Sequence, residues 1–155
     1  MEWFIYALRN TFNYQGRAKR AEFIWFILIY ELSDWAILLI AKLAFALRLI
    51  HLSDDLHILN SLLDILLLLP MSSVTVRRLH DLGYSGWWQS YLLTMNIVAM
   101  ILTYLIPKHS LNAMLDTKFG TFWSLLLVIY FIQIFFLIFK RGQPFTNRYG
   151  KQPDS

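Results

Sequence analysis

From Phe119 to Phe139 the chain runs for 21 residues without one charged side chain. A helix that crosses a bilayer needs about 20 mainly apolar residues, so this run alone is sufficient for one span. Three further apolar segments lie at about 23–49, 58–76 and 89–106. The first is interrupted by Glu31, Asp34 and Lys42; the second carries Asp64 and Pro70; the third is closed by Pro107 and Lys108. The chain is 57% hydrophobic and 15% charged, with a mean hydropathy of +0.48. Soluble domains carry about 45–50% apolar and about 25% charged residues, so the composition is displaced toward the membrane class. The expected fold is all-α: a four-helix integral membrane bundle, up-down-up-down, in a single domain over residues 1–155 with a tail at 140–155. Pro70 removes one backbone donor and should bend its span, which membrane helices tolerate where neighbours satisfy the freed carbonyl.

The joints follow from polarity. Trp3, Phe4, Ala7, Leu8 and Phe12 recur at near-helical spacing, which predicts an amphipathic N-terminal helix over residues 2–12 lying in the membrane interface. His51 to His57 reads as a short polar loop and residues 108–118 as an exposed one. The first residues lack the charged start and apolar run of a cleaved signal peptide, so none is expected. The chain has no cysteine, which removes disulfides and thiolate metal ligands. With the N-terminus inside, ten basic residues (Arg9, Arg17, Lys19, Arg20, Arg77, Arg78, Lys140, Arg141, Arg148 and Lys151) fall on the inner side. Three (Arg48, Lys108 and Lys118) fall outside. That asymmetry predicts both termini in the cytoplasm. Trp3, Trp87 and Trp88 with Tyr6, Tyr84 and Tyr149 would then form an aromatic belt at the inner interface.

Three motifs carry most of the distinctive polar residues: Gly16-Arg-Ala-Lys-Arg-Ala-Glu-Phe-Ile-Trp25; Arg77-Arg-Leu-His-Asp81 followed by Ser85-Gly-Trp-Trp88; and Gly142-Gln-Pro-Phe-Thr-Asn-Arg-Tyr-Gly-Lys-Gln-Pro153. In this order, and covering nearly the whole chain, they resemble the domain-of-unknown-function 805 family of small bacterial inner-membrane proteins. The usual first block of that family has the glutamate followed directly by an aromatic and a tryptophan; here Ile24 separates Phe23 from Trp25. The resemblance implies a helical membrane domain in the bacterial cytoplasmic membrane and implies no activity.

Charge counting places all three motifs on the inner side, gathering Arg17, Arg20, Glu22, Arg77, Arg78, His80, Asp81, Asn147, Arg148 and Tyr149 at one rim. If the second span continues as a helix to Leu82, Arg77 shares a side with His80 and Asp81. Gly83 then suits the residue just past the helix end, and Ser85 suits a cap on the next helix. The simplest role for this cluster is structural: arginines reach lipid phosphates while Asp81 neutralises one of them. The functional reading is a site for an anionic headgroup or phosphate at Arg17, Arg20, Arg77, Arg78, His80, Asp81, Asn147 and Arg148, because the planar arginine fork binds oxygens bidentately. A lipid-modifying enzyme with His80 as base is disfavoured, since adjacent helical positions point about 100° apart and Asp81 cannot readily orient His80.

Inside the spans, ionisable groups call for partners. Counted from the outer surface, Lys42 and Asp64 sit at similar depths and are expected to pair. Counted from the inner surface, Glu31, Asn96 and Gln133 share a depth, with Asp34 a turn deeper. These residues can act as interhelical glue or, with Asp64, as an ion or proton path in a transporter or channel component. No nucleotide-loop or zinc-protease motif is present. His51 and His57 belong to a solvated loop rather than a metal site, and no cofactor or catalytic residue is assigned. Membrane lipids are the expected partners, with a second copy or a membrane partner protein as alternatives. Short basic runs at helix ends suit membrane phosphates better than nucleic acid.

Overall fold

The computed structural model describes residues 2–105, 110 and 118–153, and every regular element among them is helical. The helices are α1 (Glu2–Arg9), α2 (Arg20–Ala46), α3 (Ile50–Asp81), α4 (Gln89–Leu105) and α5 (Lys118–Phe139). A 3₁₀ turn at Gly86–Trp88 leads into α4. The expected exposed loop at 108–118 lies almost wholly outside the described residues.

Three of these helices hold stretches long and apolar enough to cross a membrane: Arg20–Ala46, Ile50–Asp81 and Gly120–Phe139. α4 has 17 residues and is therefore about 25 Å long. Their outward sides carry large apolar residues such as Leu32, Trp35, Leu39, Leu66 and Ile132, as a lipid-facing surface requires.

Two expectations are corrected. His51 to His57 is no loop: these residues form the first turns of α3. The connection is only Leu47–Leu49, where Arg48 adopts φ 62° to reverse the chain. Acidic side chains at Asp54 and Asp55 are compatible with the start of a helix because its terminal N–H groups favour negative charge. The short connection also fixes the register of α2 against α3. Tyr30 donates to Asp64 Oδ1 at 2.9 Å, and Asn60 donates to Asp34 Oδ1 at 2.6 Å. Continuing that antiparallel register puts Lys42 opposite Leu52, about 18 Å along the helix from Asp64. Lys42 and Asp64 therefore do not pair, and Lys42 is exposed.

The packed core lies at one end of the bundle. Phe23, Phe26, Val74, Leu79, Leu92 and Leu137 are almost fully enclosed there. α1 closes over it, with Ala7 buried and the Phe4 ring stacked on Phe26 at 5.3 Å. At the opposite side of that core the helices part around a cavity of about 410 Å³.

Candidate functional site

Every residue from Ser72 to Leu82 is buried, although this stretch reads Ser-Ser-Val-Thr-Val-Arg-Arg-Leu-His-Asp-Leu. A helix buried on all sides is normally apolar all round. This one is polar, so each group needs a partner, and the three sequence motifs provide most of them. The end of α3 is thus the axis of the site. The chain before α2 wraps one side of it and the C-terminal segment after α5 wraps another.

The end of the helix is fixed first. Gly83 has φ +84°; its N–H bonds to the His80 carbonyl at 3.0 Å and that of Tyr84 to the Leu79 carbonyl at 2.9 Å. This paired closure requires a left-handed residue just past the helix, where glycine carries no steric penalty. Ser85 then accepts from the Trp87 N–H at 3.5 Å, capping the following turn as its position suggested.

Asp81, at the last turn, holds two arginines. Arg17 reaches Asp81 Oδ1 through Nε at 2.9 Å and Nη2 at 2.8 Å, and Arg78 reaches Oδ2 at 2.5 Å. Their remaining donors go to backbone carbonyls at the end of α5 and in the C-terminal segment. Arg17 donates to Phe145 at 2.8 Å and also to Gln143. Arg78 donates to Leu137 at 3.0 Å and also to Lys140. The last carbonyls of a helix have no partner within it, so Arg78 closes the end of α5 from a different helix. Gln143 returns the bond, its N–H donating to the Asp81 carbonyl at 2.9 Å. All three side chains are at least 94% buried, Arg78 completely. These groups form a clamp that straps residues 140–150 across the end of the bundle.

Arg77 takes a different partner. It lies 2.7 Å from Glu22 at the first turn of α2, and both are enclosed. Beyond that ion pair, Arg77 Nε and Nη2 find no hydrogen-bond partner among the described residues. Arg77, His80 and Asp81 each meet a residue of the segment 16–22: Glu22, Gly16 and Arg17 respectively. Arg77 faces α2, and its neighbour Arg78, turned about 100° away, is the one that meets Asp81.

His80 packs in a separate stack. Its Nδ1 lies 3.1 Å from the Gly16 carbonyl, so that nitrogen carries the proton. Its ring lies parallel to Tyr149 with centroids 3.7 Å apart, and the Arg148 guanidinium lies over Tyr149. Asn147 donates to the His80 carbonyl at 2.9 Å and to Gln143 Oε1 at 2.8 Å. Tyr149 belongs to this stack. Both ring nitrogen Nδ1 and one ring face of His80 are committed to packing, and Asp81 is committed to arginines.

Of the predicted ligand residues, Arg17, Arg77, Arg78, His80, Asp81 and Asn147 come together but are turned inward. Arg20 is not: it lines a pocket of about 420 Å³ between the start of α2 and the C-terminal segment. Lys19, Arg78 and Arg141 line it too, against one carboxylate among the described residues, Asp81, already held by two arginines. Sequence reasoning did not single out Lys19 and Arg141 for this role. It also missed Gly142 and Gln143, although all four lie within or beside the motifs.

The intramembrane residues form a second assembly. Glu31, Asp34, Asp64 and Asn96 line the 410 Å³ cavity with Tyr30, His57, Asn60 and Tyr130. Asn96 is near the Tyr130 hydroxyl at 3.4 Å. Gln133 is not in this layer, as depth counting had placed it; it donates to the Trp88 carbonyl at 2.7 Å.

The fold and site define an all-helical protein with helices able to cross a membrane, closed at one end by a buried arginine–aspartate clamp. The family model described as "Protein of unknown function (DUF805)" matches residues 11–151, and the chain belongs to that family. Among its relatives is the Inner membrane protein YhaH of Escherichia coli (strain K12), 34% identical over 88 residues, which are 57% of this chain and 69% of that protein. The Inner membrane protein YhaI of the same strain is 35% identical over 88 residues, or 57% of this chain and 68% of that protein. No solved structure gives a significant match.

Proposed function

We propose that this chain is a four-span protein of the bacterial cytoplasmic membrane, with both termini in the cytosol, whose clamped end holds an anionic phospholipid headgroup. The relatives' names support the location, the ten-to-three distribution of basic residues supports the orientation, and α4 supplies the fourth crossing. The observation that carries the ligand is the pocket of Lys19, Arg20, Arg78 and Arg141, whose single carboxylate among the described residues is neutralised from within. In this reading the buried motif residues Arg17, Arg77, Arg78, His80 and Asp81 are not the ligand contacts. They build the wall, and Lys19, Arg20 and Arg141 face the phosphate.

Each basic residue near a charged membrane surface contributes about 1 kcal/mol toward anionic lipid. Loss of two should weaken retention by about thirtyfold. Native mass spectrometry of the wild type released from mixed phosphatidylglycerol, cardiolipin and phosphatidylethanolamine should show selective retention of the anionic lipids. Arg20→Gln/Arg141→Gln should lose that selectivity. Equal, unselective retention by both proteins would overturn the reading. Orientation is checked separately: because the chain lacks cysteine, single Ser85→Cys and Lys151→Cys should both resist an impermeant thiol reagent in intact cells, and Asp54→Cys should react.

The cavity favours a second reading, an ion-coupled transport component using Glu31, Asp34 and Asp64. Charged groups within the bilayer mark ion or substrate pathways, and here three line one cavity. Proteoliposomes should then show a proton flux that Asp64→Asn reduces at least tenfold; an unchanged flux removes this reading.

A further inference from the structure

A groove distinct from the basic pocket runs along α5. Its walls are Leu79, Tyr84, Trp88, Ile129, Ile132 and Phe136, and its volume is about 330 Å³. The positions 129, 132, 133, 136 and 137 line one side of α5 at helical spacing, so the groove follows the helix axis for about 12 Å. One leaflet of a bilayer has a hydrocarbon depth of about 15 Å. The groove is open: Trp88, Ile129 and Ile132 are each more than half exposed. At its head, where α5 ends, stands Lys140. Its ammonium lies 4.7 Å from the Phe136 ring centroid and 5.4 Å from that of Tyr84. The Tyr84 hydroxyl is 3.3 Å away.

Lys140 makes no ion pair among the described residues. Two aromatic rings fix it at the mouth of the groove, and cation–aromatic contacts of this kind orient an ammonium without neutralising it. A long apolar channel parallel to a spanning helix, headed by an unneutralised cation, has the shape and charge of one phospholipid: an acyl chain below and a phosphate above. We infer that this groove is a binding site for a single anionic phospholipid, with an acyl chain laid along Ile129, Ile132 and Phe136 against Trp88 and its phosphate at Lys140. The inference stands apart from the headgroup pocket, which is built from other cations and has no apolar channel.

The groove's own tryptophan supplies the test. The protein is reconstituted in zwitterionic phosphatidylcholine bilayers containing a minor share of phosphatidylglycerol with brominated acyl chains, which quench nearby indoles. The Trp88 signal is the difference between wild type and Trp88→Phe. The control is the equivalent difference for Trp87→Phe, since Trp87 is 83% exposed and does not line the groove. Trp88 should be quenched more strongly by brominated phosphatidylglycerol than by brominated phosphatidylethanolamine at equal content. Lys140→Gln should weaken that preference about fivefold, the effect of about 1 kcal/mol from one lysine near a membrane surface. Arg20→Gln should leave it unchanged, separating this site from the headgroup pocket. Equal quenching by the two lipids would overturn the inference, as would indifference to Lys140→Gln. A disulfide-linked dimer formed by Ile132→Cys would overturn it too, because a second copy would then fill the groove.

Discussion

Asp81→Asn is expected to release the C-terminal strap while leaving the spanning helices folded. The reasoning starts from charge. Arg17 and Arg78 are buried and share one carboxylate. Replacing it by an amide leaves two enclosed guanidinium groups without a counter-charge. Removing one partner from a buried pair costs about 3–5 kcal/mol, a large part of the roughly 5–15 kcal/mol that separates a native domain from its unfolded state. The helices have independent support from their apolar surroundings, whereas the strap has few other ties: Phe145 is 60% exposed, its backbone is held by Arg17, Arg78 and the Gln143 bond to Asp81, and beyond the clamp stand the Asn147 bond to the His80 carbonyl and the Tyr149 stack on His80. The loss should therefore appear as strap opening. Limited trypsin digestion in detergent, followed by mass spectrometry, should show cleavage after Arg141 and Arg148 faster by about a hundredfold or more, since each 1.4 kcal/mol is a factor of ten. The double variant Asp81→Asn/Arg17→Gln should be less damaged than the sum of its parts, because residues in one ion-pair network couple. Cleavage at the wild-type rate would show that the clamp does not hold the strap.

Much of this arrangement was legible in the sequence, and the limits are physical. The apolar runs could be read because a spanning helix must satisfy its backbone internally and present apolar side chains to lipid. Convergence of the three motifs followed from their charges, and Gly83 and Ser85 followed from the chemistry of helix ends. Partner choice did not follow. Arg77 and Arg78 are chemically identical, and only the placement of α2 and the strap decides that one meets Glu22 and the other Asp81. The acceptors that saturate Arg17 and Arg78 are mostly backbone carbonyls, which every residue has and no side chain announces. Hence the cluster read as a ligand site, whereas the donors of Arg17 and Arg78 are used internally. Lys42 and Asp64 failed for a related reason: depth counting assumed a polar loop at residues 51–57, and once these join α3 the register moves by several turns. Asp34–Asn60 and Tyr30–Asp64 are the pairs that result.

Gly142→Ala carries the second large expectation, and it isolates sterics from charge. Gly142 needs no unusual backbone angle, since the left-handed glycines are Gly16, Gly83 and Gly150. Its requirement is space. A Cβ built there would lie 2.6 Å from Asp81 Cγ, 2.8 Å from Oδ1 and nearer still to Oδ2. A flexible side chain could move aside, but this carboxylate is fixed by two arginines, so either the strap or the ion pairs must yield. Overpacking an enclosed site typically costs about 1–3 kcal/mol. Here the displaced atom is the counter-ion of the clamp, so the cost should reach the upper end of that range, with strap cleavage rising about a hundredfold. Gly83→Ala provides the contrast. Its Cβ would also meet a neighbour, 2.8 Å from Gln143 Cδ, but that flexible side chain is held at its tip by one neutral hydrogen bond, from Asn147 to Oε1, and swings aside more easily than a carboxylate fixed by two arginines. The expected loss is then about 1 kcal/mol, set by the left-handed conformation. The two alanine variants should differ most clearly in an Asp81→Gly background, where the obstructing carboxylate is gone. Gly142→Ala should then add almost nothing to the damage already done, while Gly83→Ala should keep its full effect. If Gly142→Ala costs the same with and without the carboxylate, contact with Asp81 is not what requires a glycine there.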